Sequence, residues 1–356
     1  MPYHILVGSY TNEIVTLTFD PAGPSLEVTS KLQVGHHPSW IASSPDYPGY
    51  AWTGLEQADG RVVTLEVGEQ GRLKKLAEVS SAGSDPCHLL VHNGEVIIAN
   101  YSSGTVSFLP AHRDPSLAAK QTAISIQLSG SGPNTERQEG SHPHQVYLQE
   151  EYGELFVADL GADKVLRLTK TRDGSWKVIG EIDFSTIEPG GGPRHLAFLN
   201  GDMYTLLELT SRLTRHRVPR LPNTPTFVTS TPTMSQPLPQ PNPMLAAEIL
   251  IPPLTTSFPT PYIYISNRND PSPEGDIISI FSPGDRSDGL QLVNEVRTGL
   301  KHVRGILFGG NDGRYLVAGG AQGGGVKIFE RTDGGRGLRE VVRNEGVEAP
   351  TGFAWV

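Results

Sequence analysis

The stretch GHHPSWIA at residues 35–42 decides the fold, because its pattern returns along the chain. Each copy opens with a glycine, two residues and a proline, and continues as an apolar run. The other clear copies are GSDPCHLL (83–90), GSHPHQVYL (140–148) and GGGPRHLAFL (190–199). Two weaker copies are LKHVRGILF (300–308), with Val303 in place of proline, and EAPTGFAWV (348–356). The spacing fits a repeat of about 52 residues, with one further copy near Ala247.

Short β-branched strands follow these openings. The second strands read YAWTGLE (50–56), VIIANYS (96–102), ELFVADLG (154–161), MYTLLELT (203–210), YIYISNRN (262–269) and YLVAGGAQ (315–322). They are bounded by turns, and no stretch of the chain has a convincing helical period. A repeat of this length with about four strands is typical of one propeller blade, and the chain holds about seven such units. The sequence therefore predicts an all-β, seven-bladed β-propeller with four-stranded blades.

The two ends of the chain are predicted to close the ring. The last copy is too short for a whole blade, whereas HILVGSY (4–10) and EIVTLTF (13–19) are strands without an opening of their own. Strands from both ends in one blade would leave the ring without a free sheet edge. We therefore expect a single domain over residues 1–356. An array of two-sheet β-sandwiches is the alternative fold.

Residues 219–261 interrupt the repeat and contain 12 of the 29 prolines. Proline removes a backbone donor, so this run cannot form a central strand. We interpret it as a proline-rich insertion between the fourth and fifth blades. A surface loop is the simpler interpretation, and a lid or partner-binding segment is the alternative.

Composition and charge exclude several classes of protein. The formal charge of −9 disfavours a nucleic-acid partner, because phosphates select clustered lysine and arginine. A single cysteine, Cys87, excludes a disulfide framework and a cysteine-based zinc site. No apolar run reaches 18 residues, so no membrane partner is expected. The first residues lack a signal-peptide pattern, so we expect the cytoplasm, and a closed ring favours a monomer.

One position of the repeat varies while its apolar surroundings stay constant. This position follows the proline and holds Ser39, Cys87, His144, Arg194, Arg304 and Thr351. A side chain that differs between similar units is expected to face something other than the shared core. Because innermost strands line the channel of a propeller, we predict a channel site where His144, Arg194 and Arg304 converge.

Further candidates lie where second strands end. Glu208 follows the apolar run MYTLL (203–207), and a carboxylate among apolar neighbours is expected to have a raised pKa that suits acid–base catalysis. Its alternative role is an ion pair with Arg212 or a neighbouring arginine. Asn267 and Arg268 end the fifth second strand. Arginines in the channel of an acidic protein indicate a small anionic substrate, although ion pairs with the next blade are the alternative.

Histidines cluster at the blade openings. The chain has 11 of them, and three join the candidate substrate-binding set. That set is Arg268, Arg304, His142, His195, Asn267 and His302. Several histidines at one channel mouth could bind a metal ion, but no HExxH motif or tight carboxylate cluster accompanies them, so no metal is predicted. For any one histidine, a hydrogen bond to backbone is the alternative role.

These motifs resemble the seven-bladed lactonase propellers, a family that includes bacterial-type 6-phosphogluconolactonase and fungal 3-carboxy-cis,cis-muconate lactonising enzyme. The matching stretches are ILVGSYT (5–11), GSHPHQVYLQEEYGELFVADLGADKVLRL (140–168), GGGPRHLAFLNGDMYTLLELTS (190–211), YIYISNRND (262–270) and VRGILFGGNDGRYLVAGG (303–320). The resemblance implies that His144, Arg194 and Glu208 are catalytic and that Arg268 binds an anion. It also implies that neither a metal nor an organic cofactor is needed.

The expected function is a metal-independent lactonase that hydrolyses a small sugar-acid or carboxylated lactone in the channel. The displaced fifth opening and the missing proline of the sixth leave the substrate open. A muconate-type cycloisomerase of aromatic degradation, rather than an enzyme of carbohydrate metabolism, is the first alternative. A non-catalytic binding propeller is the second, because one fold hosts many functions.

Overall fold

The computed structural model describes residues 2–284 and 289–356, and within them it contains seven four-stranded antiparallel sheets. Blade seven combines β1 (Tyr3–Ser9), β2 (Glu13–Asp20) and β3 (Ser25–Gln33) with the last strand of the chain. Blade one contains β4 (Pro38–Ser43), β5 (Tyr50–Leu55), β6 (Arg61–Val67) and β7 (Leu73–Ser80). Blade two contains β8 (Pro86–His92), β9 (Glu95–Asn100), β10 (Thr105–Pro110) and β11 (Ile124–Gln127). Blade three contains β12 (Pro143–Gln149), β13 (Glu154–Asp159), β14 (Lys164–Lys170) and β15 (Trp176–Asp183).

The second half of the chain repeats this arrangement. Blade four contains β16 (Pro193–Leu199), β17 (Asp202–Leu207), β18 (Arg212–Arg217) and β19 (Thr226–Pro232). Blade five contains β20 (Leu245–Leu250), β21 (Ile263–Arg268), β22 (Ile277–Ser282) and β23 (Gln291–Arg297). Blade six contains β24 (Lys301–Gly309), β25 (Tyr315–Gly323), β26 (Gly325–Thr332) and β27 (Gly337–Asn344), and β28 (Pro350–Trp355) completes blade seven. Outside the sheets lie a one-turn helix, α1 (Pro115–Ala118), and 3₁₀ turns at Glu69–Gly71 and Asp333–Gly335.

The innermost strands form a closed ring. Each contacts the innermost strand of the next blade, and β28 joins β24 to β4. Within blade seven, β28 pairs with β1, for example Phe353 opposite Val7. The predicted all-β propeller, its seven four-stranded blades and its closure by both chain ends are therefore confirmed. The β-sandwich alternative is wrong.

Apolar side chains between neighbouring blades form the core. Trp52 of blade one, for example, packs in one cluster with Leu89 and Ile98 of blade two. Strands with a blade on either side are buried on both faces, and all six residues of β13 are buried. Full burial of one large aliphatic or aromatic side chain contributes about 1.5–3 kcal/mol, so this packing fixes the ring that carries the channel.

The sequence predicted that the proline-rich run 219–261 is an insertion between two complete blades. In the structure it is instead part of both blades. It contains β19, the outer strand of blade four, and β20, the innermost strand of blade five. Its prolines are compatible with a strand because, among the described residues, β19 pairs with β18 alone, and an edge strand tolerates missing donors. The additional length lies in the two connections that flank β20. Ala247 falls within β20, where the repeat spacing predicted a further copy.

No helix in residues 2–284 or 289–356 has the length and apolar character needed to cross a membrane.

Candidate active site

A β-bulge marks the variable position of the repeat. In β4, β8, β12 and β16 the pairing register shifts between the proline and the second residue after it. In β24 it shifts between Val303 and Gly305, and β20 and the β1–β28 ladder have a shift at the matching place. A bulge leaves one residue outside the ladder and re-aims its side chain. This irregularity explains why the residue after each proline faces the channel rather than the blade core.

Five predicted residues meet in one cavity at this end of the channel. His144, Arg194 and Arg304 come from bulges, and Glu208 and Arg268 come from the ends of second strands. Together they line a cavity of about 340 Å³. The convergence predicted from the repeat is therefore found, although their chemical roles are still to be tested.

Glu208 lies at the centre of an arginine cluster. Its Oε2 is 2.9 Å from Arg194 Nε and 2.9 Å from Arg268 Nη2, and its Oε1 is 2.8 Å from Arg137 Nη2. Burial alone would raise the pKa of Glu208, but the three guanidinium groups lower it to about 2. The expected raised pKa is therefore wrong. Arg212, a suggested partner, pairs instead with Glu188 at 2.7 Å.

Arg194 is held rigidly in the channel wall. Its side chain is 1 % exposed, and Nη1 donates to the backbone carbonyl of Ala247 in β20. Burial and the charge of Arg268 lower the pKa of Arg194 to about 10, so this guanidinium stays protonated at neutral pH. Fixed N–H donors on a buried cation suit an oxygen atom that gains negative charge.

A second ion pair lies across the cavity from this cluster. Arg304 Nη2 is 3.1 Å from Glu56 Oε1, and Arg304 Nη1 donates to the carbonyl of Ser39. The ring of Tyr10 packs against the same guanidinium, with 5.4 Å between its centroid and Cζ. Burial raises the pKa of Glu56 although Arg304 opposes the change. Two of the carboxylates that line the cavity, Glu56 and Glu208, therefore have opposite pKa shifts.

His144 is the imidazole of the cavity wall. It is buried beside Tyr101, with ring centroids 5.8 Å apart. Burial and the charge of Arg194 place its pKa well below the usual value, so the ring is neutral. Its Nδ1 is buried and lacks a hydrogen-bond partner among the described residues. Nε2 is thus the nitrogen available on the cavity side.

Four predicted substrate-binding residues lie outside the cavity. His142 stacks on Tyr101, and its ring nitrogens contact the Tyr101 carbonyl and Glu139, so it supports the wall from behind. His302 lies in β24 with a left-handed backbone conformation, φ of 61°, and contacts Asn269. Neither histidine lines the cavity, and their substrate-binding roles stay predictions.

The other two predicted substrate-binding residues, Asn267 and His195, have side chains that point away from the cavity. Asn267 lies within the second strand β21 and is saturated inside the blade, where it accepts from Thr233 and donates to Ser279. His195 follows the bulge, so its side chain points deeper along the channel and contacts Glu248 at 2.5 Å. Neither residue lines the cavity, and both substrate-binding roles stay predictions.

Arg137 is a site residue that the sequence pattern did not reveal. It belongs to the connection between β11 and β12, residues 128–142, and reaches over the cavity to Glu208 and the Tyr101 hydroxyl. A repeat analysis cannot detect it, because it occupies no repeat position. The unusual length of this connection is the available signal. Cys87 also lines the cavity, but burial raises the pKa of its thiol, which keeps it protonated.

In the part of the chain that the structure describes, no group of three or more His, Cys, Asp or Glu side chains is arranged to hold a metal ion. The cavity's donor set, dominated by guanidinium groups, is instead suited to anions.

Comparison with known proteins shows the family to which the chain belongs. Residues 4–355 match the family model described as lactonase, 7-bladed beta-propeller. The chain belongs to this family. The resemblance recognised in the sequence is thereby confirmed, and with it the expected lactonase type of enzyme.

Named relatives cover most of the chain. A 6-phosphogluconolactonase of Bacillus subtilis (strain 168) is 29% identical over 302 residues, which is 78% of this chain and 76% of the relative. A 6-phosphogluconolactonase of Formosa agariphila is 24% identical and covers 92% of each chain. Among solved structures, the periplasmic gluconolactonase of Pseudomonas aeruginosa covers 100% of this chain and 99% of its own, with a TM-score of 0.77 at 22% identity. The structural likeness supports the fold alone.

Proposed function

We propose that the protein hydrolyses the lactone of a phosphorylated sugar acid, with 6-phosphogluconolactone as the first candidate. The observation that carries this proposal is the charge balance of the cavity. Four guanidinium groups, those of Arg137, Arg194, Arg268 and Arg304, share two carboxylates. Asp85 also lines the cavity, so these four cations face three carboxylates in all. The remaining surplus of positive charge suits an anion, and the names of the relatives supply the substrate class.

Neutral His144 is the proposed general base. Nε2 would take a proton from a water molecule as that water attacks the lactone carbonyl carbon. When the tetrahedral intermediate collapses, the same nitrogen would return the proton to the ring oxygen as its bond to carbon breaks. Glu208 is less suited to either role, because both of its oxygens are engaged by the guanidinium groups of Arg137, Arg194 and Arg268.

Arg194 is proposed to stabilise the oxyanion. It is buried, protonated and fixed by Ala247 and Glu208, so its donors need no reorganisation when charge develops. Glu208 then serves to hold Arg137, Arg194 and Arg268 together. We assign Arg268 and Arg304 to the substrate phosphate, because each presents a planar donor fork at the cavity wall.

The earlier alternatives are not favoured. Muconate-type ring closure and a role in aromatic degradation gain no support from relatives named 6-phosphogluconolactonase. A non-catalytic role likewise gains no support from relatives that are named as enzymes. Requirement for a metal or organic cofactor is not part of the proposal.

The compartment and the oligomeric state are proposals of the same rank. A phosphorylated sugar does not cross a membrane unaided, which supports the cytoplasm. A ring closed by its own termini leaves no innermost edge for another chain, which supports a monomer. Cell fractionation and light scattering test these two points.

The test is acid release in a pH-stat, corrected for spontaneous hydrolysis, from 6-phosphogluconolactone and from glucono-δ-lactone with EDTA present. We expect turnover that prefers the phosphorylated lactone and falls about 100-fold in His144→Gln. His216→Gln is the matched control, because His216 is equally buried but packs between Phe184 and Phe227 in blade four. Rates equal to the spontaneous rates with both lactones would overturn the proposal.

A further inference from the structure

A second ring of side chains crosses the channel just beyond the bulges. It consists of the residue that follows each bulged position. Its members are Trp40, His88, Gln145, His195, Glu248, Gly305 and Gly352. Both His195 and Glu248 are almost fully buried, at 0 % and 3 % exposure. The repeat therefore places a buried imidazole and a buried carboxylate on the channel axis, directly behind the proposed catalytic cavity.

Glu248, His195 and His144 form a continuous row. His195 Nδ1 and Glu248 Oε1 are 2.5 Å apart, and the Ile249 amide also donates to Oε1. The His195 and His144 ring centroids are 5.2 Å apart with an interplanar angle of 66°. A direct N–H···N bond between two imidazoles, about 2.9 Å long, places the centroids roughly 5 Å apart. The centroid spacing is compatible with such a bond, but the two rings are not hydrogen-bonded to each other in the structure.

Two unsatisfied nitrogens lie on these two rings. His144 Nδ1 and His195 Nε2 are buried, and neither has a hydrogen-bond partner within residues 2–284 and 289–356. Buried polar atoms without partners are rare, so their presence on adjacent rings needs an explanation. His88 Nδ1 is a third such atom, on a ring whose centroid is 5.5 Å from that of His195. If His195 donates through Nδ1 to Glu248, its Nε2 is an acceptor. If His144 receives the water proton on Nε2, its Nδ1 must be the donor. The two unpartnered nitrogens are then complementary, since one is a hydrogen-bond donor and the other is an acceptor.

The charges around the row explain why a relay is needed. Arg194, Arg268 and Arg304 all face the row, with Glu208 on the cavity side and His88 beside Glu248. Tyr101 contacts the His144 ring edge. The three guanidinium charges disfavour a proton that stays on His144. A carboxylate further along the axis can receive that proton at lower electrostatic cost.

We infer that His195 and Glu248 are positioning residues that relay the proton accepted by His144, an inference that rests on the proposed function. As a water O–H bond breaks, its proton binds His144 Nε2 and the water oxygen forms the bond to the lactone carbon. The His144 Nδ1 proton moves to His195 Nε2, and the His195 Nδ1 proton moves to Glu248 Oε1. When the ring C–O bond breaks, the same transfers run in reverse and protonate the ring oxygen.

Glu248 also lines a cavity at the other end of the channel. With His88 and Trp40, it lines a second cavity of about 520 Å³ on the opposite side of the ring from Arg194. Burial raises the pKa of Glu248 to about 7, although Arg194 lowers it. The carboxyl group can therefore exchange its proton near neutral pH through this second cavity. Above this pH Glu248 would be ionised and able to accept the relayed proton. Below this pH Glu248 would already be protonated and the relay would be blocked.

The first test does not depend on any lactone. Histidine side chains of the whole wild-type protein are labelled with ¹⁵N, and His195 is assigned by comparison with His195→Gln. We expect the neutral ring of His195 to carry its proton on Nδ1 at pH 8.5 and on Nε2 at pH 5.5, because Glu248 changes from acceptor to donor. One unchanged tautomer across this range would overturn the relay.

The second test uses turnover of 6-phosphogluconolactone. In Glu248→Gln we expect kcat to fall about 100-fold with little change in KM, and the rise of kcat through pH 7 to disappear. His216→Gln should retain the wild-type pH profile. A wild-type profile in Glu248→Gln would overturn the relay but leave the lactonase proposal intact. Absence of turnover in the wild type would overturn the lactonase proposal, while the tautomer measurement still decides the row.

Discussion

Two buried glutamates on neighbouring blades show the difference between a structural and a functional ion pair. Glu154 of blade three holds one arginine, Arg167, through two parallel contacts of 2.7 and 2.9 Å. Glu208 of blade four holds three arginines, and its side chain is only 3 % exposed. The first set is neutral, whereas the second carries surplus positive charge in a cavity.

This difference shows what burial alone cannot. Both glutamates are inaccessible, and both bind guanidinium groups. A buried ion pair is weak evidence for stability, because desolvation offsets much of the attraction. The ratio of cations to carboxylates is more informative. A one-to-one pair needs no further partner, whereas three arginines on one carboxylate retain donors for an external anion.

The largest expected effect concerns stability. Glu154→Gln leaves Arg167 as a buried unpaired cation, so the free energy of unfolding should fall by about 3–5 kcal/mol. Glu208→Gln should also be destabilised, but phosphate should restore its stability by replacing the lost negative charge. Urea unfolding with and without phosphate, at constant ionic strength, measures both. Equal phosphate rescue of the two variants would remove the distinction between the sites.

The next effect concerns catalysis. Arg194→Met removes the fixed donor proposed for the oxyanion, so kcat should fall about 100- to 1,000-fold. Arg167→Met removes an equally buried arginine from the structural pair, and its folded fraction should keep the wild-type kcat. Steady-state rates are normalised to the folded fraction measured by circular dichroism. Similar losses in both variants would show that Arg194 acts only through structure.

A pH effect of somewhat smaller size is expected from Glu248. Its folded-state pKa of about 7 lies above the usual 4.5, so the folded protein holds a proton that the unfolded chain has released. Stability should therefore fall as pH rises from 4.5 to 7, by roughly 3 kcal/mol at most. Urea unfolding across this range should show the decline in wild type and a smaller one in Glu248→Gln. Parallel curves would contradict the raised pKa.

The smallest effect concerns substrate choice. Arg268→Gln removes one proposed phosphate ligand, so KM for 6-phosphogluconolactone should rise about tenfold, the lower range for a charged hydrogen bond. KM for glucono-δ-lactone, which has no phosphate, should change little. Comparing the two substrates in one variant provides the internal control. An equal rise for both would assign Arg268 to the lactone ring or to the integrity of the cavity.

The sequence was sufficient for the fold and for the ring of site positions. A proline begins five of the innermost strands, at Pro38, Pro86, Pro143, Pro193 and Pro350. The variable residue after it coincides with the bulge that directs a side chain into the channel. Both features repeat with the blades, so one sequence can reveal them.

Features of the site that do not repeat from blade to blade could not be predicted from the sequence. The number of arginines on Glu208 depends on Arg137, which lies in a loop, and that number reverses the expected pKa shift. Glu248 was hidden because the opening of blade five lacks the glycine and proline pattern. His142 and His302 were assigned to the site because they lie near the variable positions in the sequence. Nearness in sequence does not show which way a side chain points.

The central claim is that surplus arginine charge in this cavity binds the substrate anion beside His144. A crystal structure with the product 6-phosphogluconate tests it most directly. We predict that the ligand lies in this cavity, with its carboxylate at Arg194 and its phosphate at Arg268 or Arg304. A ligand bound elsewhere, with these arginines still engaged only by Glu56, Glu208 and backbone carbonyls, would contradict the account.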